Sequence, residues 1–216
     1  MQDPVIVVVA AGEGPDVRAL LPDQAFVIAA DGGVERAQAL GLEVALVVGD
    51  LDSASPDAVA AAERRGAVVT RHPAEKDATD LELALEEAAA RSPRRLVVVA
   101  SATGRLDHLL SSLHALATPS LARIEVDALV GDTLVHVVRD ERLIHGQPGE
   151  LMTLQPIGGA AEGVITNGLA YPLDGDTLHP FSSRGVSNIL SATPVRVAVA
   201  RGTLLVIRSS PPGAPP

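Results

Sequence analysis

The chain of 216 residues has no cysteine. Disulfides, thiolate metal sites, iron–sulfur clusters and a cysteine nucleophile are excluded together. Aromatic residues make up 1%, namely Phe26, Phe181 and Tyr171, and tryptophan is absent, so the core is expected to be aliphatic. No apolar run reaches the roughly 18 residues of a membrane span. Met1-Gln2-Asp3, ahead of the first apolar run, lacks the basic cluster of a signal peptide. Positive charge is scarce: 17 Lys+Arg against 27 Asp+Glu give a formal net charge of −10. With a pI near 5.0, no nucleic-acid partner is expected, because a general binder needs a basic surface. A polyphosphate substrate stays open, because a metal ion can supply the positive charge. No membrane association is expected, and the cytoplasm is the expected compartment.

Hydrophobic residues at 47% and charged residues at 20% exclude disorder over most of the length. The length suits one large domain or two small ones. Over the first 130 or so residues, continuous apolar runs at 5–10, 25–30, 44–48, 67–70, 96–100 and 124–130 predict strands buried on both faces of a parallel sheet. Segments 33–40, 56–65, 79–91 and 107–117, rich in Ala, Leu, Glu and Arg, predict the intervening helices. The rhythm indicates an open, mostly parallel α/β sheet domain. Thr79-Asp80-Leu81-Glu82 reads as a capping box, which sets Asp80 in the first turn of its helix.

After about Asp140, Gly and Pro become frequent, and 151–155, 164–166, 195–200 and 203–208 are short and β-branched. These predict a small all-β sandwich domain. The expected division is 1–139 for the α/β domain and 140–216 for the β-sandwich domain. The Pro/Ser/Gly-rich residues from Ser209 on read as a frayed tail.

Ligands of open α/β sheets bind at the carboxyl ends of the strands. Four successive strand ends carry aspartate: Asp31-Gly32-Gly33, Gly49-Asp50-Leu51-Asp52-Ser53, Lys76-Asp77-Ala78-Thr79-Asp80 and Gly104-Arg105-Leu106-Asp107-His108. Each alone reads as turn chemistry or a helix cap. Together, on one rim, they call for a cation among them. Oxygen ligands without cysteine select Mg²⁺ or Mn²⁺, with substrate phosphates completing the shell. Arg105 would neutralise charge on a transferring phosphoryl group. No Gly-rich loop ends in Gly-Lys-Ser/Thr, and Gly12-Glu13-Gly14 lacks the third glycine of a dinucleotide fingerprint.

These four motifs, in this order and spacing, resemble those of the thiamine pyrophosphokinase (thiamine diphosphokinase) family. In the second half, Asn167-Gly168-Leu169-Ala170-Tyr171-Pro172-Leu173 and Gly185-Val186-Ser187-Asn188 resemble two further family segments. The resemblance implies transfer of the pyrophosphoryl group of ATP to the hydroxyl of thiamine, giving thiamine diphosphate and AMP. It implies an α/β domain for ATP and a β-sandwich that helps bind thiamine across the interface of a homodimer. It implies Asp50, Asp52 and Asp80 as ligands of Mg²⁺ and, with Arg105, as catalytic residues. Asp31, Asp77, Thr79, Arg105 and Asp107 would bind ATP. Tyr171, Ser187 and Asn188 would bind thiamine. Thr103 stands in place of the first of paired family glycines, Tyr171 in place of a tryptophan, and Ile189 where an acidic residue is common. The rival expectations are a Mg²⁺-dependent pyrophosphoryl transferase or phosphohydrolase on another heterocyclic alcohol, and a non-catalytic thiamine- or nucleotide-binding protein.

Overall fold

The computed structural model describes residues 5–209; residues 1–4 and 210–216, which hold the start of the chain and most of the expected tail, lie outside the described residues. The chain divides into two compact units, Met1–Asp132 and Thr133–Pro216. The expected division after residue 139 falls one strand later, because the Gly/Pro-rich texture begins only after Asp140.

The first unit alternates strands and helices: β1 (Val5–Val9), β2 (Phe26–Ala30), α1 (Gly33–Ala39), β3 (Val44–Gly49), α2 (Pro56–Arg64), β4 (Val68–Arg71), α3 (Asp80–Ala90), β5 (Arg95–Ala100), α4 (Leu106–Ala115) and β6 (Glu125–Val130). The strands lie in the order β6-β5-β1-β2-β3-β4, and every pairing among them is parallel. Residues 6–9 of β1, 27–30 of β2 and 96–100 of β5 are all buried, as expected of strands covered on both faces. Chain order reverses direction between β1 and β5, which makes their carboxyl ends the switch point where a crevice opens.

Two glycines let these layers close. A Cβ at Gly33, the first residue of α1, would overlap the Val9 carbonyl oxygen and lie 2.8 Å from its carbon, so only glycine allows α1 to start against β1. Gly49 ends β3 at φ 149°, and a Cβ there would lie 2.8 Å from Asp80 Oδ1. α3 begins with the expected capping box: Thr79 Oγ1 accepts from the Glu82 amide, and the Glu82 carboxylate accepts from the Thr79 amide at 2.7 Å.

The second unit is all β: β7 (Thr133–Val138), β8 (Glu141–Ile144), β9 (Leu151–Pro156), β10 (Ala161–Asn167), β11 (Asp174–Leu178), β12 (Asn188–Ile189), β13 (Val195–Ala198) and β14 (Leu204–Ser209). Ser209, expected in the tail, closes β14. The strands form two antiparallel arrays, β12-β9-β14-β7 and β11-β10-β13-β8. Burial alternates residue by residue along β9, the pattern of a strand with one face in a core. That core is aliphatic, with Met152, Leu154, Leu178, Leu190 and Leu204 fully buried.

Candidate active site

A cleft of about 730 Å³ opens at the carboxyl ends of the first unit's strands. It takes in Ala10–Gly12 after β1, Asp31 after β2, Asp50 and Asp52 after β3, Thr79 and Asp80 at the start of α3, and Arg105, Asp107 and His108 after β5. A second cleft of equal volume, lined by Val5, Asp23, Arg94, Arg95 and Glu125, lies at the amino ends of the strands and gathers none of the motif residues.

Carboxylate oxygens of Asp31, Asp50 and Asp52 lie within 4.8 Å of one another. Asp31 is buried and adopts φ 48°. Its Oδ2 accepts a hydrogen bond from Ser53, while Oδ1 is buried with no hydrogen-bond partner. Leu51, between the other two aspartates, is also left-handed at φ 62°. Backbone held in that region by residues other than glycine is costly and gathers at functional sites. Asp50 Oδ2 accepts from Lys76 Nζ at 2.6 Å, and this bond holds the Asp50 carboxyl below the usual carboxylate range. The charge of Asp50 pushes the exposed Asp52 carboxyl up, with burial and the charges of Asp31 and Asp80 adding to the shift. Asp80 Oδ1 is buried and 3.1 Å from Lys76 Nζ, within ion-pair range but outside hydrogen-bond geometry.

Crowded carboxylates, with a buried Asp31 oxygen that has no hydrogen-bond partner and a buried Asp80 oxygen faced only by the Lys76 ammonium, are a donor set that suits a hard divalent cation. The family resemblance implied Asp50, Asp52 and Asp80 as the metal set; the tightest triple contains Asp31, with Asp80 beside it across Lys76.

Arg105 and Asp107 form a two-pronged pair at the cleft wall, Nη2 to Oδ2 at 2.5 Å and Nε to Oδ1 at 3.2 Å. Each shifts the other toward its charged form: Arg105 up, Asp107 down. The Thr79 hydroxyl lines the cleft but is engaged by Glu82. Asp77 is exposed and does not line the cleft.

Two residues that the sequence pattern did not single out hold the loop after β1. Arg36, buried on α1, donates from Nη1 to the carbonyls of Gly12 at 3.2 Å and Glu13 at 3.4 Å, and burial pushes its guanidinium pKa down. Ser101, after β5, donates to the Glu13 carbonyl at 2.7 Å. No local motif marks either residue, because each partner lies at least 23 positions away in sequence.

In the second unit, Tyr171 is exposed at 67%. Asn188 is buried, and its side chain clamps the Tyr171 backbone: Oδ1 accepts from the Tyr171 amide at 3.0 Å, and Nδ2 donates to the Tyr171 carbonyl at 2.7 Å. Oδ1 also accepts from the Ile189 amide. The amide of Asn188 is therefore spent on holding the tyrosine. Ser187 is exposed at φ 58°, and its amide donates to Thr153 Oγ1 at 3.1 Å. Of the four non-glycine residues with positive φ among the described residues, three (Asp31, Leu51 and Ser187) fall in the motifs picked out from sequence.

Fold and cleft define a class: an α/β unit with an acidic cleft at its strand ends, followed by an antiparallel β-sandwich unit. Comparison with known proteins narrows it. Residues 17–128 match the family model of the thiamin pyrophosphokinase catalytic domain, and residues 135–204 match that of the thiamin pyrophosphokinase vitamin B1 binding domain. The chain belongs to the thiamin pyrophosphokinase family. It is 23% identical to the thiamine pyrophosphokinase of Bacillus subtilis (strain 168) over 198 residues, covering 91% of this chain and 92% of that protein. The crystal structure of the Bacillus subtilis thiamine pyrophosphokinase superposes with a TM-score of 0.83, covering 95% of this chain and 99% of that one at 23% identity. Thiamin pyrophosphokinase from Candida albicans superposes with a TM-score of 0.81 at 14% identity, covering 96% and 89%. Among the described residues no helix is long and apolar enough to cross a membrane.

Proposed function

We infer that the chain is a thiamine diphosphokinase, transferring the pyrophosphoryl group of ATP to the hydroxyl of thiamine. The observation that carries this reading is the convergence of Asp31, Asp50 and Asp52 on one cleft that also takes in Asp80, Arg105 and Asp107, in a chain that matches both domains of the family. The thiamine hydroxyl oxygen forms a bond to the β-phosphorus and gives up its proton to a carboxylate of the cleft, the bond from that phosphorus to the α–β bridging oxygen breaks, and AMP leaves. Such transfers depend on positioning and charge neutralisation more than on covalent help.

Asp50 and Asp52, with Asp31 and Asp80 beside them, are the residues that would hold Mg²⁺; when bound, the ion neutralises polyphosphate charge and orients it. Arg105, fixed in direction by Asp107, offers its guanidinium to non-bridging phosphate oxygens. Thr79 keeps the start of α3 in shape and so presents Asp80 at the cleft. Asp77 is retained as an ATP contact on the strength of the motif alone. Tyr171 offers an exposed ring face to the cationic thiazolium or the pyrimidine. Asn188 sets the backbone that carries it, and Ser187 lies next to that clamp with its side chain exposed. A homodimer and a cytoplasmic setting, with ATP at hand, belong to the same reading; sedimentation velocity at micromolar chain concentration tests the first.

The decisive experiment incubates protein, ATP and Mg²⁺ with and without thiamine, and repeats the assay without Mg²⁺. AMP that needs both thiamine and Mg²⁺ is expected. Phosphate release without thiamine would favour a phosphohydrolase, and thiamine binding without AMP would leave a binding protein.

A further inference from the structure

Lys76 is the only lysine in the chain; the other 16 of its 17 basic side chains are arginine. It stands inside the acidic rim, its ammonium between Asp50 Oδ2 at 2.6 Å and Asp80 Oδ1 at 3.1 Å. The three side chains are 14%, 13% and 24% exposed, far less than the 72% and 62% of the Arg105–Asp107 pair. An ammonium is a compact point charge on a flexible stem, whereas a guanidinium is a planar fork that locks carboxylates two-pronged. In a chain that uses arginine everywhere else, the compact cation occurs where two candidate metal ligands face each other. Arg105 is engaged by Asp107 and Arg36 by loop carbonyls, so neither serves this gap.

We propose that Lys76 is a resident cation of the rim, which keeps Asp50 and Asp80 aimed into the cleft while no divalent ion is bound and gives up Asp50 when one enters. The proposal rests on reading the rim as a metal site. Lys76 is then a positioning residue, and metal uptake is an exchange of one cation for another. The exchange avoids assembling four bare carboxylates in the metal-free protein, and it releases an ammonium into the cleft where the polyphosphate is to bind.

The lone lysine makes the exchange directly observable. An amine-acylating reagent is applied to protein freed of metal with a chelator, and to protein in Mg²⁺ or Mn²⁺ alone. Peptide mass spectrometry then follows the Lys76 peptide against an added lysine-containing reference peptide. Lys76 is expected to acylate at least about threefold faster with either ion, as its ammonium leaves the ion pair. Unchanged or slower acylation overturns the proposal.

A second measurement reads the sign of the coupling. Binding of Mn²⁺ is followed by loss of the free-ion paramagnetic resonance signal. Lys76→Met is expected to bind about tenfold tighter than the unsubstituted chain, because a competing positive charge is gone. Lys76→Arg keeps the charge and is expected to bind no tighter than the unsubstituted chain. A lysine that only braced the fold would give weaker binding in Lys76→Met, and equal or weaker binding overturns the exchange. Should Lys76→Met fail to fold, acylation of the unsubstituted chain decides. If the unsubstituted chain takes up no Mn²⁺, the metal reading of the rim fails and this proposal with it. A chain that shows the exchange but makes no thiamine-dependent AMP loses the proposed function and keeps the exchange.

Discussion

Gly33→Ala tests whether the cleft depends on how closely α1 approaches β1. The added methyl would overlap the Val9 carbonyl oxygen and stand 2.8 Å from its carbon and 3.1 Å from the Ala10 carbonyl carbon. The overlap with the oxygen is the deepest of these, so the start of α1 must retreat by about 1 Å or more. The obstacle is backbone of a central strand, flanked on both sides by β2 and β5, so it has no side chain to rotate away. Overpacking against such a neighbour costs about 3 kcal/mol. Alanine in place of glycine in a helix returns about 0.5–1 kcal/mol. The expected net loss is therefore about 2 kcal/mol. Urea titration followed by far-ultraviolet circular dichroism measures it, with the midpoint shifting at constant slope. The same shift moves Asp31, two residues before Gly33, so weaker Mn²⁺ binding should accompany the loss. A loss under about 0.5 kcal/mol would show that the two layers tolerate a methyl between them and would refute the argument.

Four further outcomes are expected. Asp52→Asn should abolish thiamine-dependent AMP formation while leaving the circular dichroism spectrum intact; near-normal AMP would remove Asp52 from the metal site. Tyr171→Ala should raise the KM for thiamine more than the KM for ATP, and equal effects would end the stacking role. Thr79→Ala removes the hydroxyl that accepts from the Glu82 amide and should cost about 1 kcal/mol in the same urea titration. Arg196 holds the Glu141 carboxyl below its usual range, so folded Glu141 takes up its proton at lower pH than the unfolded chain does. Its contribution is present above the ordinary glutamate pKa of about 4.3 and is lost as the pH falls through the lowered value, so Glu141→Gln should flatten the fall of the melting temperature below about pH 4.

The parallel sheet was legible because its inner strands are buried on both faces and read as unbroken apolar runs; β5, Arg-Leu-Val-Val-Val-Ala, is the plainest case, whereas β4, expected to be buried on both faces, is an edge strand with Val68 exposed. α3 was legible to the residue because its cap is written in side chains. β11, Asp-Gly-Asp-Thr-Leu, escaped notice because only its last residue is buried, and β12 is two residues long. β7 was passed over although its residues are mostly apolar, since it lies where the α/β rhythm stops. At the cleft, the aspartates announced themselves through motif and order. The clamp of Asn188 on Tyr171 and the grip of Arg36 on the loop after β1 left no local trace, because a hydrogen bond to a distant backbone has no periodicity or spacing to betray it.

The exposed Tyr171, in a chain with no tryptophan, has an optical consequence. No indole is present to drain its excitation, so ultraviolet emission near 300 nm comes from this one phenol, which lies beside the clamp that Asn188 makes. Quenching or brightening during a titration thus reports on a single place in the second unit, and native intrinsic fluorescence becomes a site-specific signal without any label.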